Sequence, residues 1–491
     1  MEKEQQYEKL FVGGDLSGIQ KFLYNISSTK AAVSLIGRSA YLRKCMEEVC
    51  QHVKDAANRA RAVNTRELYC SGGKFYLITD NTESIAQAID DVAGREKEML
   101  WKEHLGQLGI SISYVPFTEH ADGLVDACSE VNQKPGILWK TVNDDFARQK
   151  KQKFKSVLGK DFSLFQPMPV GGKTKVCAVT GVESAECVVL DDKDKEKIYV
   201  LPSVKEQIRL GEEERATYGF KTFEDYAQGS YLGILRMDVD GLGKRFVVGF
   251  NSIAKYEQFS KRLVAFFENE VRTIQKEEQF KDYLNIIYAG GDDLFVVGRW
   301  DKTIDFAERI HKETCERFKD ENISISGGIA VVNPKFPISK AAEQAGEAEQ
   351  AAKQFKNENG EKNAFNMLGM TISWNEEFDY VKRFKDDFLM HINSPRPLSK
   401  GVLHKIMLYA SIAEMNKERK TKGVKEDFSY LWHIIYYLTR QMEKYKKDSP
   451  AVWEFCRKLR DEEISSNKLR KLELLSLAAR WAELLEKENK Q

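Results

Sequence analysis

Three aspartates occupy positions that an ordinary soluble fold has little reason to make acidic. Asp292 and Asp293 adjoin each other in "IIYAGGDDLFVVG" (286–298), between two runs of β-branched and aromatic residues, and Asp238 interrupts the apolar run of "GILRMDVDGLGKRF" (233–246). A carboxylate inside an apolar strand is costly unless it is paired or bound to a metal. Strand alternation puts Asp238 and Asp240 on one face, and if that strand lies beside the hairpin, Asp238 meets Asp292 and Asp293. Clustered carboxylates repel one another and divalent cations relieve the repulsion; Mg²⁺ prefers oxygen ligands, commonly one or two carboxylates plus substrate phosphates. Two such ions are the apparatus of phosphoryl transfer. Asp238, Asp292 and Asp293 are therefore the candidate metal-ligating and catalytic residues, with two Mg²⁺ or Mn²⁺ as the ions. Taken alone, Gly-Gly-Asp-Asp suits a solvated turn equally well; the second acidic segment favours a site.

The surrounding residues supply the elements that must hold these acids. "LNIIYA" (284–289) and "LFVVG" (294–298) read as the strands of a hairpin, with a tight turn in which Gly290 and Gly291 take positive φ and allow close approach of a ligand. "KTIDFAERIHKETCERF" (302–318) has helical apolar spacing. "NISISGGIAVV" (322–332) reads as a strand, and the Ala-rich "ISKAAEQAGEAEQAAKQFK" (338–356) as a helix. Strand, helix, hairpin, helix and strand in that order give the βαββαβ pattern of ferredoxin-like folds.

The same plan occurs earlier without its acid pair. "LFVGGDLSGIQKFL" (10–23) aligns with "ILRMDVDGLGKRFV" (234–247), placing Asp15 on Asp238, Ser17 on Asp240 and Gly18 on Gly241. "LYCSGGKFYLI" (68–78) aligns with "IIYAGGDDLFVV" (286–297), so that Gly72 and Gly73 match Gly290 and Gly291, Lys74 replaces the first aspartate and Phe75 the second. A helical stretch (81–100) and "GISISYV" (109–115) complete the repeat. One copy is expected to hold metals. The other, without the acid pair, is expected to bind a nucleotide without activating it. Two such domains face to face would present two nucleotides to each other, and positioning is most of what phosphoryl transfer requires.

The bulk properties exclude several classes. The chain has 491 residues, too many for one core. With 76 Lys+Arg against 75 Asp+Glu, net charge names no partner. The eight cysteines are sparse and unevenly spaced, which reads as reduced thiols in a cytoplasmic protein. No apolar run is long enough for a membrane helix, and "MEKEQQYEKL" is no secretory signal, so no membrane partner is expected.

"GGDLSGIQKFLYNISSTKAAVSLIGRSAYL" (13–42), "RMDVDGLGKRF" (236–246), "IIYAGGDDLFVVGRWD" (286–301) and "NPKFPISKAAEQAGEAEQAAK" (333–353) together resemble the large polymerase-cyclase subunit of type III CRISPR effector complexes, in its III-A (Csm-type) form. The resemblance covers nearly the whole chain. It implies an α+β protein of two ferredoxin-like palm domains, a small zinc-finger-like insert and an all-α C-terminal bundle. The corresponding segments are 1–125, 126–228, 229–372 and 373–491. It further implies ATP as substrate, cyclic oligoadenylate as product, and crRNA, target RNA and other complex subunits as partners. Metal binding is carried onto Asp238, Asp292 and Asp293, and nucleotide contacts onto Gly290, Gly291, Asp240, Lys244 and Lys353, with Ser17 and Gly18 contacting the second nucleotide. For Lys353 a solvated helix face is an equal reading.

The chain departs from that family in two places. It has no His-Asp dipeptide, and its first palm begins near Leu10, so the family's HD-type nuclease activity is not expected. Between the palms only Cys177 and Cys187 remain of paired Cys-x-x-Cys motifs; Thr180 and Leu190 stand where the partner cysteines would be. Two thiolates do not make a structural zinc site, so zinc is not expected. From about Ser373 the chain reads as helical. Trp432, Tyr436, Tyr437 and Trp481 are assigned to its core, with stacking on nucleic acid as the alternative, and the basic "NKERKTKG" (416–423) suits a solvated loop or RNA phosphates equally. Two other functions stay open: joining ATP to S-adenosylmethionine in the same palm, and a non-catalytic scaffold for guide RNA.

Overall fold

A computed structural model describes residues 7–27, 30–104, 106–153, 155–159, 175–182, 185–190, 197–357, 360–425, 428–464 and 469–488. It divides into two compact units, the first comprising 1–325 and 329–347, the second 326–328 and 348–491.

The first unit contains the repeat. Its N-terminal half runs β1 (Lys9–Ser17), α1 (Ile19–Tyr24), α2 (Ala31–Arg59), β2 (Arg66–Ser71), β3 (Lys74–Asp80), α3 (Glu83–His104) and β4 (Gly109–Glu119). Strands β5 (Val125–Ala127) and β6 (Glu130–Gln133) extend the sheet to the order β2-β3-β1-β4-β5-β6. Leu10, Val12, Phe75, Leu77, Ile110 and Ile112 face α2 and α3 in one buried cluster. Phe11, Tyr76 and Phe117 face the other way, onto α4 (Gly136–Lys151). Period-two alternation with both faces buried explains why these strands read as nearly continuous apolar runs.

The connecting segment contains α5 (Lys155–Leu158), β7 (Cys187–Leu190), β8 (Lys197–Val200), α6 (Pro202–Tyr218) and α7 (Phe223–Ala227). Much of the expected zinc-like insert, including 160–174, 183–184 and 191–196, lies outside the described residues, as does the side chain of Leu190. Cys177 is buried, and all eight cysteines are free. Burial raises the Cys177 thiol, but hydrogen bonds from the Thr180 hydroxyl and from the amides of Leu201, Thr180 and Val179 outweigh it and leave the thiol below its ordinary value. Thr180 thus donates to the sulfur from the position where the expected pattern has a cysteine.

The second half of the unit repeats the first: β9 (Leu232–Val239), α8 (Leu242–Val248), α9 (Ile253–Ala265), a π-helical turn (Phe266–Glu270), α10 (Val271–Gln275), β10 (Leu284–Gly290), β11 (Asp293–Arg299), α11 (Trp300–Arg317), β12 (Ile325–Val332) and α12 (Ile338–Lys353). The strand order β10-β11-β9-β12 matches β2-β3-β1-β4. The expected strand, helix and hairpin order is present in both halves, with ends shifted by a few residues.

In the second unit, Gly327 and Gly328 pair in parallel with Phe365 and Asn366 of β15 (Ala364–Met367), which pairs antiparallel with β16 (Met370–Ser373). A two-residue ladder, β13 (Lys356–Asn357) with β14 (Gly360–Glu361), precedes them. Helices α13 (Glu377–Ile392), α14 (Gly401–Thr421), α15 (Ser429–Tyr445), α16 (Pro450–Lys458) and α17 (Leu469–Glu488) follow. Trp481 is a core residue at 2% exposure, but Trp432 and Tyr436 are 74% and 66% exposed, against the expectation that all four C-terminal aromatics are core. They stand one turn apart on α15 and share its outer face, while Ile434 and Leu438 take the inner one. Among the described residues no helix is long and apolar enough to cross a membrane.

Candidate metal and nucleotide site

The acids are delivered by adjacent strands. Asp238 lies at the end of β9 directly opposite Asp293 at the start of β11, and Asp293 closes the hairpin opposite Gly290. Asp292 occupies the turn. One oxygen from each of Asp238, Asp292 and Asp293 lies within 4.8 Å of the others, with Asp238 buried and the other two half-buried. Burial raises the Asp292 carboxyl to about 6, with Asp293 adding to the rise and Lys74 opposing it. Asp293 is also raised, by burial, against the pull of Arg236 and Lys74. Carboxyls that resist ionisation together form a hard-oxygen donor set that a divalent cation would relieve, so the residues present fit Mg²⁺ or Mn²⁺.

The backbone register corrects the sequence alignment of the two hairpins by one residue. Ser71 pairs with Lys74 as Gly290 pairs with Asp293, and Asp15 pairs with Lys74 as Asp238 pairs with Asp293. Both outer strands carry their irregularity at the same place, between Glu67 and Tyr69 and between Ile286 and Tyr288. Gly73 is therefore the counterpart of Asp292 and Lys74 that of Asp293, while Phe75 matches Leu294. The turn residues are Gly72 and Gly73 in one hairpin, with φ of 59° and 77°, and Gly291 and Asp292 in the other, where Gly291 has φ 67°. Gly290 does not take positive φ; it ends β10, so the expectation of two turn glycines fails in the second hairpin.

The two hairpin tips meet. A Cβ on Gly72 would stand 2.9 Å from the Gly291 Cα, and one on Gly291 would stand 2.8 Å from the Tyr69 hydroxyl. The Gly291 N–H donates to Ser71 Oγ at 3.0 Å, and Ser71 Oγ donates to Glu268 Oε1 at 2.6 Å. Glu268 sits on the π-helical turn, a local widening of the helix that recurs at functional sites. Gly290 and Gly291 thus serve the packing of one hairpin on the other. Tyr69 and Tyr288, counterparts in the two halves, are both held well above the ordinary tyrosine range, first by burial and then by the nearby acids.

The remaining expected residues fall into three groups. Asp240 lies past the end of β9 and outside the acidic cluster. Its amide donates to Ser324 O and its Oδ2 accepts from Ser324 Oγ at 2.7 Å, so strand alternation does not extend to it. Its counterpart Ser17 donates to Gly109 O at 3.0 Å, and Gly18, at φ 92°, caps α1 as Gly241 caps α8. Lys244 is exposed on α8. Lys353 belongs to the second unit, where it pairs with Glu349 at 3.5 Å. Sequence reasoning missed Ser71, Glu268 and Arg236 as neighbours of the acids; the repeated tyrosine at 69 and 288 was the available signal for the buried hairpin junction.

Comparison with known proteins agrees with this geometry. The profile of the Cas10/Cmr2 second palm domain matches residues 231–366, and that of Csm1 subunit domain B matches residues 8–167. The paired halves and the acid-bearing hairpin thus define a palm-domain protein of the Cas10 type. The chain is 30% identical over 433 residues to the CRISPR system single-strand-specific deoxyribonuclease Cas10/Csm1 (subtype III-A) of Enterococcus italicus, covering 74% of this chain and 54% of that protein. It is 24% identical over 527 residues to the protein of that name from Streptococcus thermophilus, covering 92% and 64%. The crystal structure of the apo Csm1-Csm4 cassette matches with TM-score 0.63 at 18% identity, over 97% of this chain and 70% of that one. The cassette in complex with cA4 matches with TM-score 0.61 at 18% identity, over 97% and 70%. The chain belongs to the Cas10/Csm1 family of subtype III-A CRISPR systems. It spans about half to just under two thirds of the length of these two curated relatives.

Proposed function

We propose that the chain is the nucleotidyltransferase subunit of a cytoplasmic type III CRISPR complex, which joins ATP into cyclic oligoadenylate when guide RNA pairs with a target. The observation that carries this reading is the cluster of Asp238, Asp292 and Asp293, with oxygens within 4.8 Å of one another at the junction of two hairpins. A structural neighbour of the same fold is a cassette bound to cA4, and another is bound to pppApApA. Bound at the three aspartates, two divalent ions would lower the pKa of an attacking 3′-hydroxyl and offset charge on the phosphates. The chain's own residues fix Asp238 and Asp293 on two paired strands and Asp292 in the adjoining turn, hold the hairpins together through Ser71, and supply Arg43, Arg272 and Lys276 along a cleft that also reaches Glu268 and Ala289. The 3′-oxygen of one nucleotide attacks the α-phosphorus of the next, the bond to the β-phosphate breaks, and pyrophosphate leaves. The reading includes no deoxyribonuclease step.

Mass spectrometry of the products tests it. The chain, assembled with its complex, guide RNA and target RNA, is incubated with ATP and Mg²⁺ or Mn²⁺, with and without S-adenosylmethionine. Cyclic oligoadenylate from ATP alone, lost on Asp292→Ala plus Asp293→Ala, is the expected result. Synthesis that persists in the double variant would overturn the assignment of the site. An adenylated S-adenosylmethionine would change the acceptor, and no product with RNA bound would leave a scaffold.

A further inference from the structure

We infer that Lys74, on the hairpin of the first half, is a phosphate-contacting residue of the acidic site in the second half. It deepens the function proposed above and rests on that reading. Four observations carry it. First, Lys74 is the register counterpart of Asp293, so the same backbone position supplies an ammonium in one half and a carboxylate in the other. Second, the hairpins meet tip to tip: Gly72 and Gly291 are in backbone contact, and Lys74 and Asp293 each stand two residues beyond that contact. Third, the ammonium lies near enough to lower both Asp292 and Asp293, and it is itself held up against burial, first by Tyr76 and Asp15 of its own half and then by those two acids. Fourth, the acid paired with Lys74 across the sheet is already satisfied: Asp15 Oδ2 lies 2.6 Å from Lys150 Nζ. Lys74 has no hydrogen bond or salt bridge of its own side chain among the described residues. The half-buried ammonium therefore stands among Tyr76 and Asp15 of its own half and Asp292 and Asp293 of the other, with no hydrogen-bonded acceptor among the described residues of either.

The chemistry follows from charge. With nothing bound, Lys74 offsets part of the repulsion between Asp292 and Asp293. Once divalent cations take those carboxylates, the ammonium is left beside them as a donor without an acceptor. A triphosphate delivered to the acids brings such an acceptor. A point charge there suits the non-bridging phosphate oxygens and the negative charge that accumulates on departing pyrophosphate. The half without the acid pair would thereby serve the half that has it, with a charge of the sign the phosphates need.

The test uses the full chain and three readouts, with Lys74→Met and Lys74→Arg as variants. Mn²⁺ binding is measured alone, then the affinity of the non-hydrolysable analogue adenylyl imidodiphosphate with Mn²⁺, then the rate of product formation. In Lys74→Met, Mn²⁺ binding should be unchanged or tighter, because a positive neighbour of the ligands is gone. Analogue affinity should fall about 10-fold or more and product formation about 100-fold. Lys74→Arg, which keeps the charge, should recover most of both. Analogue binding by Lys74→Met within about twofold of wild type would overturn the inference, as would loss of Mn²⁺ binding alongside loss of analogue binding, which marks a structural residue. If the wild-type chain makes no product, the proposed function fails on its own, and analogue binding still decides Lys74.

Discussion

Between Ser71 and Lys74 the first hairpin turns through two glycines; between Gly290 and Asp293 the second turns through Gly291 and Asp292. Strand order, pairing register and the irregularity in the outer strand agree, and the charge at the tip is reversed. In the first half the one surviving acid, Asp15, is neutralised by Lys150 of α4. In the second, Asp238 faces two more acids, and the three carboxylates concentrate negative charge at the hairpin. The comparison separates what the backbone needs from what the chemistry needs. Glycine at 72 and 291 is required in both halves because the tips touch there. The residues one and two positions later are free to differ, and they differ in charge: Gly73 and Lys74 in one half, Asp292 and Asp293 in the other.

The most severe way to break the asymmetry is to copy Lys74 into the second hairpin. Asp293→Lys should abolish Mn²⁺ binding and lower product formation on the order of 10³-fold, measured by metal titration and product analysis of the assembled complex.

A milder change sharpens the cost of the acids. The Asp292 carboxyl is raised from 3.8 to about 6, so the folded state binds its proton more tightly than the unfolded state does. A raised carboxyl stabilises the protein less as pH climbs through that interval, and above it the buried charge costs up to about 3 kcal/mol. Metal-free Asp292→Asn should therefore melt a few degrees higher than wild type at pH 7.5. The difference should shrink as pH falls from about 6 toward 4, and the variant should lose the stabilisation that Mn²⁺ gives wild type. Thermal melts with and without Mn²⁺ across that range check the sign.

The smallest expected effect concerns the contact between the halves. Ser71→Ala removes the acceptor of the Gly291 N–H and the donor to Glu268, and should cost about 1–3 kcal/mol in chemical unfolding. The acids stay in place, so Mn²⁺ binding should weaken far less than in Asp293→Lys.

Much of this site was legible in the sequence. A carboxylate in an apolar strand and a second acidic pair in a hairpin turn pointed to Asp238, Asp292 and Asp293, and the structure gathers their oxygens within 4.8 Å. Strands and helices were found because period-two and helical spacing survive in both halves. The hairpin register was not legible, because glycine does different work at different positions. Gly73 is a turn residue at φ 77°, whereas Gly290 is a strand residue against Ser71, so matching glycine to glycine slides the alignment by one. Asp240 was misplaced because alternation holds only while the strand lasts, and β9 ends at Val239. Glu268 was invisible because a π-helical turn leaves no spacing signature in "FFENE". The exposure of Trp432 and Tyr436 was missed because periodicity identifies a face of a helix without saying which face is covered.

We propose that divalent cations bind the second hairpin's acids while the first hairpin contributes only a cation of its own. Titration of Mn²⁺ into the assembled wild-type chain, Asp292→Ala plus Asp293→Ala, and Lys74→Met, followed by electron paramagnetic resonance, tests it most directly. Binding in wild type, loss in the double aspartate variant, and binding as tight or tighter in Lys74→Met are the expected results. Equal Mn²⁺ binding by wild type and the double aspartate variant would contradict it.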